Sequence, residues 1–385
     1  MNPSYILILT IGVFSIINTE MGVIGILPLL STTYGVDIAT AGLLVSLFAL
    51  AVSIAGPTLP LLLSGFDRKK IMILVLGMFT VCNVISAFAA NFNIVLITRV
   101  LPAFLHPVYV SLAFSVAAAG LQPSEVPKAI SKVMIGVSAG MVLGVPIVSY
   151  IAGITSLQTA MLSFALVNAV ALLATIIVIP PMPVKEKLSY GSQLSILKEV
   201  PVWLAITTVV FLNGAVFGVY SYLAEYLENV TQLSVGLISI MLLIYGLANI
   251  IGNILAGRLL STQANRLVAV FPLLLIAVYI LMLYLGQYTW AMYAITLIWG
   301  ILGGMGANIN QYWISASAPH VPDFANGLFL VATNFGTFIG ALLCGFFISQ
   351  YGSQYIVLGG IIFLLLSSVL IALRLWQPKS ISVAS

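Results

Sequence analysis

Charged residues are scarce in this chain. Only 6% of its 385 residues are Asp, Glu, Lys or Arg, whereas a soluble globular domain contains roughly a quarter. Hydrophobic residues make up 62% of the sequence, and its mean hydropathy is +1.20. This composition excludes a protein whose whole surface faces water.

Cysteine and histidine are also rare. The chain has Cys82, Cys344, His106 and His320. Both cysteines lie inside apolar runs, which excludes a disulfide framework and a metal cluster. No nucleophile elbow and no phosphate-binding loop of Gly and Lys is present. We therefore expect no enzyme, no metal, no organic cofactor and, despite a net charge of +4, no nucleic acid partner.

Long apolar runs dominate what remains. Helices and closed barrels are the structures that satisfy their own backbone in lipid, and barrel strands alternate apolar and polar residues. The runs here are nearly continuous and about 20 residues long, which suits helices that cross a bilayer. We predict an all-α integral membrane protein with twelve spans, near residues 5–30, 40–63, 71–90, 94–118, 130–153, 159–180, 202–227, 235–259, 267–286, 290–316, 325–348 and 354–376.

The predicted spans, numbered 1 to 12, divide into two equal groups. The first run follows a start without basic residues and is too long for a signal peptide, so we expect it to be retained. The longest polar stretch is 181–200, at the middle of the chain. We predict an N-terminal six-helix bundle at 1–180, a cytoplasmic linker at 181–200 and a C-terminal six-helix bundle at 201–385.

Basic residues predict the orientation. Every Lys and Arg other than Arg99 falls in the loops on one side of the twelve spans or in the C-terminal tail. Because cytoplasmic loops are enriched in Lys and Arg, both termini are expected in the cytoplasm. We predict a multi-pass protein of a bacterial inner membrane.

The two groups of spans share an internal repeat. Residues 56–70 and 252–266 each run from a Gly late in a span to a basic loop, and the two segments are 196 residues apart. The same offset relates Gly144 to Gly340, and residues 121–123 to 317–319. Chance matches are the alternative in a chain rich in Gly and Pro. Two parallel repeats about an axis normal to the membrane are typical of transporters with a site between the halves.

Five short motifs lie in these spans and loops. They are Thr19-Glu20 followed by Gly25–Pro28 in span 1, Asp67–Lys70 in the loop between spans 2 and 3, Arg99–His106 in span 4, Gly140–Pro146 in span 5, and Asn334–Gly340 in span 11.

Together these motifs resemble the major facilitator superfamily, almost from end to end of the chain. In detail they are similar to its drug:proton antiporter group, in the sugar-efflux or arabinose-efflux-like branch. The resemblance implies two six-helix bundles that work by alternating access. It also implies a gating role for Asp67, Arg68, Lys69 and Lys70.

Two strongly ionisable residues, Glu20 and Arg99, lie well inside predicted spans. Such residues are costly in lipid and usually face a cavity or a partner. At 1.5 Å per residue, both fall in the outer half of the bilayer. We predict that Glu20 is the proton-coupling carboxylate, with Arg99 and His106 beside it. A permanent structural ion pair between Glu20 and Arg99 is the alternative, as is a His106 that only bonds to a neighbouring helix.

The C-terminal half lacks both charges, since the offset places Val216 and Ile295 at the corresponding positions. We therefore expect it to supply neutral binding surface, although such polar stripes often only hold helices together. The candidate substrate-binding residues in both halves are Asn18, Tyr109, Asn213, Phe217, Tyr220, Tyr245, Asn249, Asn308, Gln311 and Asn334.

A stripe of small residues marks span 5. Gly136, Gly140 and Gly144 are spaced by four, which allows close helix packing, and Pro146 follows them. We expect this face to form a rocking interface between the halves. Asp67 is expected to make charge contacts that hold the outward-open state.

The sequence favours a secondary active transporter. The leading interpretation is proton-coupled antiport that exports drugs or sugars, driven by the proton gradient. An uncoupled facilitator or importer is the alternative, and a membrane enzyme is a remote one. We expect a small-molecule substrate and protons as partners, a lipid bilayer around the protein, and a monomer.

Overall fold

The structure is a computed structural model of the chain and describes residues 3–119, 121–122, 125–183, 196–320 and 322–376. Those residues are overwhelmingly helical, and none of them forms a strand. The predicted central linker lies mostly outside them, at 184–195. The N-terminal half contains α1 Pro3–Gly22, α2 Leu27–Tyr34, α3 Ile38–Ala41, α4 Leu43–Ala55, α5 Leu59–Leu62, α6 Arg68–Ala87, α7 Phe92–Ala103, α8 His106–Ala118, α9 Val126–Ile154 and α10 Leu157–Val178.

The C-terminal half has fewer and longer helices. Span 7 consists of α11 and α12, spans 8 and 9 lie within α13, and α14 to α16 form spans 10 to 12. Their bounds are α11 Val200–Tyr220, α12 Leu223–Asn229, α13 Val235–Leu285, α14 Thr289–Ser315, α15 Pro322–Tyr351 and α16 Ile356–Trp376. In the N-terminal half, span 1 is α1 with α2, span 2 is α3 to α5, span 4 is α7 with α8, and spans 3, 5 and 6 are α6, α9 and α10.

The number of spans follows from one break. Eleven helical segments of the described chain are long and apolar enough to cross a membrane, and one of them is the 51-residue segment Val235–Leu285. At 1.5 Å per residue this segment is more than twice as long as a bilayer core is thick. It is broken at Gln263, where φ is −139° and ψ is 41°. The break falls in the predicted loop between spans 8 and 9, so twelve spans are present.

Short polar residues begin several spans. The Asp37 carboxylate accepts a hydrogen bond from the Thr40 backbone amide at 2.7 Å, and Asp67 accepts one from the Lys70 amide at 3.1 Å. Each bond satisfies an amide that the first turn of a helix leaves free. The bond from Thr40 also lowers the pKa of Asp37.

The internal repeat is present in the packing. In the N-terminal half, Gly140 of span 5 lies against Ile17 and Asn18 of span 1. In the C-terminal half, Gly336 of span 11 lies against Asn213 and Gly214 of span 7. All three pairs of equivalent residues are 196 apart, so the two halves use the same helix contact.

The halves are joined at the side opposite to the basic loops. The N-terminal half has two hydrophobic cores. The core at the cytoplasmic ends of its spans is its own, and includes Leu9, Phe79 and Tyr109. The core at the outer ends, including Ile24 and Leu30, is continuous with that of the C-terminal half. The outer side of the molecule is therefore closed.

Two contacts between the halves run toward the cytoplasm, and they differ in length. We call the contact between spans 2 and 11 the 2/11 seam. The hydroxyl of Ser53 donates to the carbonyl oxygen of Val331 at 3.1 Å, on the cytoplasmic side of the membrane centre. The 2/11 seam is thus closed over most of its length.

The contact between spans 5 and 8, here the 5/8 seam, ends earlier. Ser239 donates to the Ser149 hydroxyl at 3.0 Å, and Val142 packs on Gly246. Further toward the cytoplasm, Ser138 is exposed about one turn from Val142, and Gly257 faces open space about three turns from Gly246. The molecule is therefore open on its cytoplasmic side along this seam.

Candidate functional site

One ion pair lies inside the membrane-spanning region. Nε2 of His106 is 3.1 Å from Oε2 of Glu20, and it is the one ion pair within 4.0 Å in the described part of the chain. Both side chains are mostly buried, with 10% and 13% of their surface accessible. The other ring nitrogen, Nδ1 of His106, has no hydrogen-bond partner among the described residues. The pair joins span 1 to span 4.

Arg99 bonds to the backbone of spans 1 and 2 and not to the Glu20 carboxylate. Its guanidinium donates to three backbone carbonyl oxygens, those of Leu44 at 2.9 Å, Thr19 at 3.0 Å and Glu20 at 2.7 Å. It also lies over the ring of Phe48, 5.1 Å from the centroid. The expected alternative of a permanent Glu20–Arg99 ion pair is therefore wrong. Arg99 instead ties spans 1, 2 and 4 together through charge-assisted hydrogen bonds.

Span 4 is interrupted between Arg99 and His106. The first segment contains Pro102 and ends at Ala103, and the second begins at His106 with Pro107 in its first turn. A proline ring removes a backbone donor and interrupts the helix. Arg99, His106 and Tyr109 nevertheless all face span 1, since Arg99 and His106 contact Glu20 and Tyr109 packs on Gly12.

Tyr109 lies away from any opening. It is fully buried in the cytoplasmic core of the N-terminal half, with its hydroxyl packed on Gly12. Its expected contact with substrate has no support in this position.

A cleft between the halves lies beside the 5/8 seam. It includes four of the predicted substrate-binding residues: Phe217, Tyr220, Tyr245 and Asn249. Its walls come from spans 1, 5, 7, 8 and 10 and are formed by Met21, Met141, Val142, Val216, Phe217, Tyr220, Tyr245, Gly246, Asn249 and Gly303.

Aromatic rings form the C-terminal wall of this cleft. Tyr220 and Tyr245 are stacked with ring centroids 4.5 Å apart, and Trp299 packs edge-on against Tyr245 at 5.1 Å. Phe217 contacts Tyr220 edge-on at 6.1 Å. Such pairs favour fixed ring positions, so the cleft presents a rigid aromatic surface.

Carboxamides continue from the cleft toward the cytoplasm. Asn253 donates to Oδ1 of Asn249 at 3.0 Å, and Asn308 donates to Oδ1 of Asn253. Gln311 lies further along and donates to Asn326 at 3.4 Å. This row of uncharged donors and acceptors crosses from span 8 to spans 10 and 11, on the open side of the molecule.

Sequence comparison identifies the fold and its relatives. The Major Facilitator Superfamily model matches residues 9–329 and 206–384. The chain belongs to the major facilitator superfamily. It is therefore a transporter and not an enzyme, and it is a multi-pass protein of a bacterial inner membrane.

Several relatives of this transporter match over nearly their whole length. The inner membrane transport protein YdhP of Escherichia coli K12 is 26% identical over 382 residues, covering 99% of this chain and 98% of the relative. The uncharacterized MFS-type transporter YtbD of Bacillus subtilis 168 is 28% identical and covers 91% and 90%. A probable sugar efflux transporter of Helicobacter pylori G27 is 26% identical, with the same coverage.

Solved structures agree on the fold. A bacterial homolog of the human lysosomal transporter Spinster, in an inward-facing and unoccupied conformation, has a TM-score of 0.78 at 16% identity and covers 97% of both chains. The nucleoside transporter NupG has a TM-score of 0.77 at 16% identity, covering 96% of this chain and 98% of its own. At this identity the likeness shows the major facilitator fold alone.

Three other predicted substrate-binding residues of this transporter bond or pack within the helix bundles. The Asn213 amide donates to the Thr333 carbonyl at 2.6 Å and to the Thr337 hydroxyl at 2.9 Å, which links spans 7 and 11. The Asn334 amide donates to Leu330 of its own helix at 3.0 Å. Asn18 is buried against Gly144. Contact of these three with substrate stays a prediction.

The glycine stripe of span 5 packs within its own half. Gly136 lies on Thr10 of span 1, and Gly140 and Gly144 lie on Ile17 and Asn18. The expected rocking interface at this stripe is therefore wrong, because span 5 meets the other half through a different face, at Val142 and Ser149. Pro146 is buried inside the same helix.

The residues of the gating motif also bond within their own half. The Asp67 carboxylate accepts from the Met182 amide at 2.9 Å, and the Arg68 amide donates to the Met182 carbonyl at 3.1 Å. Nζ of Lys69 donates to the Ile176 carbonyl at 2.8 Å. The charged motif, which also includes Lys70, thus holds the end of span 6 and the start of the linker. Its contact with the other half in an outward-open state stays a prediction.

Sequence reasoning missed several residues of the site. Met21 and Met141 are ordinary members of apolar runs, so nothing in the sequence separates them from lipid-facing residues. Trp299 is fully buried behind Tyr245, and a tryptophan within a span was its one available signal. Asn310, which lies 3.5 Å from Asn213, belongs to the same polar segment of span 10 as Asn308.

Proposed function

We propose that this transporter is a proton-coupled antiporter that exports small organic molecules by alternating access, with the proton gradient as its energy source and no further cofactor. The observation that carries the proposal is the Glu20–His106 pair, 3.1 Å apart and mostly buried. Two titratable groups at one buried point can take up and release a proton when the exposure of the site changes.

The surroundings of the pair support this role. Arg99 donates to three backbone carbonyls, and the Glu20 carboxylate lies against His106. The guanidinium of Arg99 bonds to the Glu20 backbone carbonyl among others, which places a fixed positive charge near the pair.

The cleft supports a separate substrate surface in the C-terminal half. Aromatic rings and carboxamides suit a molecule that has both an apolar face and hydrogen-bonding groups. Helicobacter relatives of similar sequence are named probable sugar efflux transporters, and sugars and amphiphilic drugs both meet this description. We propose a monomer as the working unit.

Everted membrane vesicles test the coupling. Glu20→Gln should reduce substrate accumulation that is driven by a pH gradient to the level of vesicles without the protein, whereas exchange of labelled substrate without a gradient should persist. Glu228→Gln, which alters an exposed carboxylate at the outer end of span 7, is the matched control and should remain coupled. Full coupling in Glu20→Gln would overturn the proposal, and wild-type transport that ignores the gradient would favour an uncoupled facilitator.

The substrate surface has its own variant. Tyr220→Leu should raise the KM for substrate, because it removes the ring stacked on Tyr245. Substrate-dependent proton release from purified protein, measured at saturating substrate, should keep its stoichiometry.

A further inference from the structure

The 5/8 and 2/11 seams are equivalent by the internal repeat, yet their cytoplasmic halves differ. Ser53 and Val331 close the 2/11 seam with a hydrogen bond. Their counterparts at an offset of 196 residues are Asn249 and Ile135, and Ile135 is 63% exposed. Symmetry of sequence position would predict a closed contact here, but this seam is open.

The exposed residues form one stripe on each helix. On span 5, Ser149 and Val142 are buried against span 8, and Ser138 and Ile135 follow on the same face at helical spacing and are exposed. On span 8, Gly246 is buried and Gly257 faces open space. The same two faces therefore pass from contact to a gap, at the depth of the inner leaflet.

The mouths of the two seams carry different charge. Lys128 and Lys132 on span 5 and Arg258 on span 8 lie at the cytoplasmic end of the 5/8 seam, and all three are exposed. At the corresponding positions of the 2/11 seam the chain has Phe324, Leu328 and Leu62. The nearest cations of the 2/11 seam, Arg68 to Lys70, come after the end of span 2, and Lys69 bonds to span 6. The 5/8 seam therefore has cations on its own two helices where the equivalent helices have apolar residues.

The gap leads directly into the cleft. Met141 and Val142 of span 5 and Asn249 of span 8 border both the seam and the cleft. Behind them lies the row of carboxamides from Asn249 to Asn308. A molecule that enters through the seam thus meets cations at its mouth, apolar walls in the gap and hydrogen-bonding groups inside.

We infer that the 5/8 seam is a lateral portal from the cytoplasmic leaflet, and that it admits an amphiphile with an anionic head group and an apolar tail. The head group is attracted by Lys128, Lys132 and Arg258, and the tail remains in the hydrocarbon layer while the head moves toward the cleft. The inference names the substrate class for the proposed export and rests on that function only for the direction of movement.

Fluorescence quenching by spin-labelled lipids tests the portal without transport. Cys82 and Cys344 are buried and are replaced by Ala. Ser138→Cys, on the 5/8 seam, and Asn334→Cys, its counterpart 196 residues later, are each labelled with bimane. The proteins are reconstituted in phosphatidylcholine vesicles that contain doxyl-phosphatidylglycerol or doxyl-phosphatidylcholine.

We expect doxyl-phosphatidylglycerol to quench the label at 138 strongly and the label at 334 weakly. Basic residues near a membrane surface each enrich an anionic lipid by about fivefold, so doxyl-phosphatidylglycerol should quench the label at 138 more than doxyl-phosphatidylcholine does. Lys128→Gln together with Lys132→Gln should remove most of this preference. Equal quenching at 138 and 334 would overturn the portal, and equal quenching by the two lipids would overturn the anionic head group.

A second pair of labelling sites and one further variant guard against misfolding and against a failure of the proposed function. If a labelled variant does not fold, Ile135→Cys and Val331→Cys form the replacement pair at the same offset. Glu20→Gln should leave the preference for doxyl-phosphatidylglycerol at 138 unchanged, because Glu20 lies in the outer half of span 1 and the three cations at the mouth of the seam remain in place. Loss of coupling in that variant with quenching intact separates failure of the portal from failure of the proposed function.

Discussion

The two halves of this transporter share a backbone arrangement and differ in chemistry. Gly140 packs on span 1 as Gly336 packs on span 7, so duplication fixed how helices approach each other. Inside that frame the N-terminal half contains an arginine and a Glu–His pair, and the C-terminal half contains stacked rings and carboxamides. The comparison teaches that packing of small residues is inherited with the repeat, while side chains that face the cleft are free to diverge.

The largest effect is expected at Arg99. Arg99→Leu would leave the carbonyl oxygens of Leu44, Thr19 and Glu20 without their donor. Each unsatisfied buried acceptor costs about 1 kcal/mol or more, so we expect a loss of at least about 3 kcal/mol in the free energy of unfolding. Ile295→Leu, at the equivalent position of the other half, should change it little. Thermal unfolding in detergent measures both, and similar midpoints would contradict the anchoring role of Arg99.

A medium effect should separate the two glycine contacts. Gly340→Ala would bring a Cβ against the backbone of Gly214, which cannot move unless spans 7 and 11 separate. Overpacking of this kind costs about 1–3 kcal/mol. Gly144→Ala meets the side-chain oxygen of Asn18 instead, which can rotate away, so its cost should lie at or below the lower end of that range. A lower unfolding midpoint for Gly144→Ala than for Gly340→Ala would contradict this account of the two glycine contacts.

The smallest effect concerns the helix caps. Asp37 caps the start of span 2 through Thr40, whereas Ser234 at the start of span 8 makes no such side-chain bond. At neutral pH, Asp37→Ala should lower the free energy of unfolding by about 0.5–1 kcal/mol, and Ser234→Ala should leave it unchanged.

The pH dependence of this cap has a definite sign. Because the pKa of Asp37 is lowered in the folded protein, its contribution is present above the pKa of the unfolded chain and is lost as pH falls through the folded value. The difference between wild type and Asp37→Ala should therefore shrink on acidification, while Asp37→Asn, which can cap without titrating, should show no such change. A gap that widens in acid would refute this account.

The span pattern could be predicted from the sequence because hydrophobicity and charge act locally. Apolar runs set the spans, and Arg258 and Arg266 marked the loop in which Gln263 breaks the long helix. The bonds around Glu20 could be predicted only in part in this way. Arg99 and His106 were both expected beside it, but the packing of spans 1, 2 and 4 decides that His106 meets the carboxylate while Arg99 bonds to three carbonyls.

The cleft was predicted in part for a related reason. Tyr220, Tyr245 and Asn249 stood out as polar or aromatic residues at helical spacing, but Met21 and Met141 are indistinguishable from lipid-facing residues until the spans are packed. Which seam opens depends on the balance between many weak contacts across the two halves, and no single residue reports it.

The break at Gln263 has a mechanical consequence. Spans 8 and 9 are continuous helix on either side of this one non-helical residue, so no slack loop separates them. Any tilt of span 8 must be absorbed at Gln263 or passed on to span 9, which presents Leu273 and Tyr284 at the protein surface. The wall of the 5/8 seam is thereby joined, through a single residue, to a helix whose side chains contact lipid.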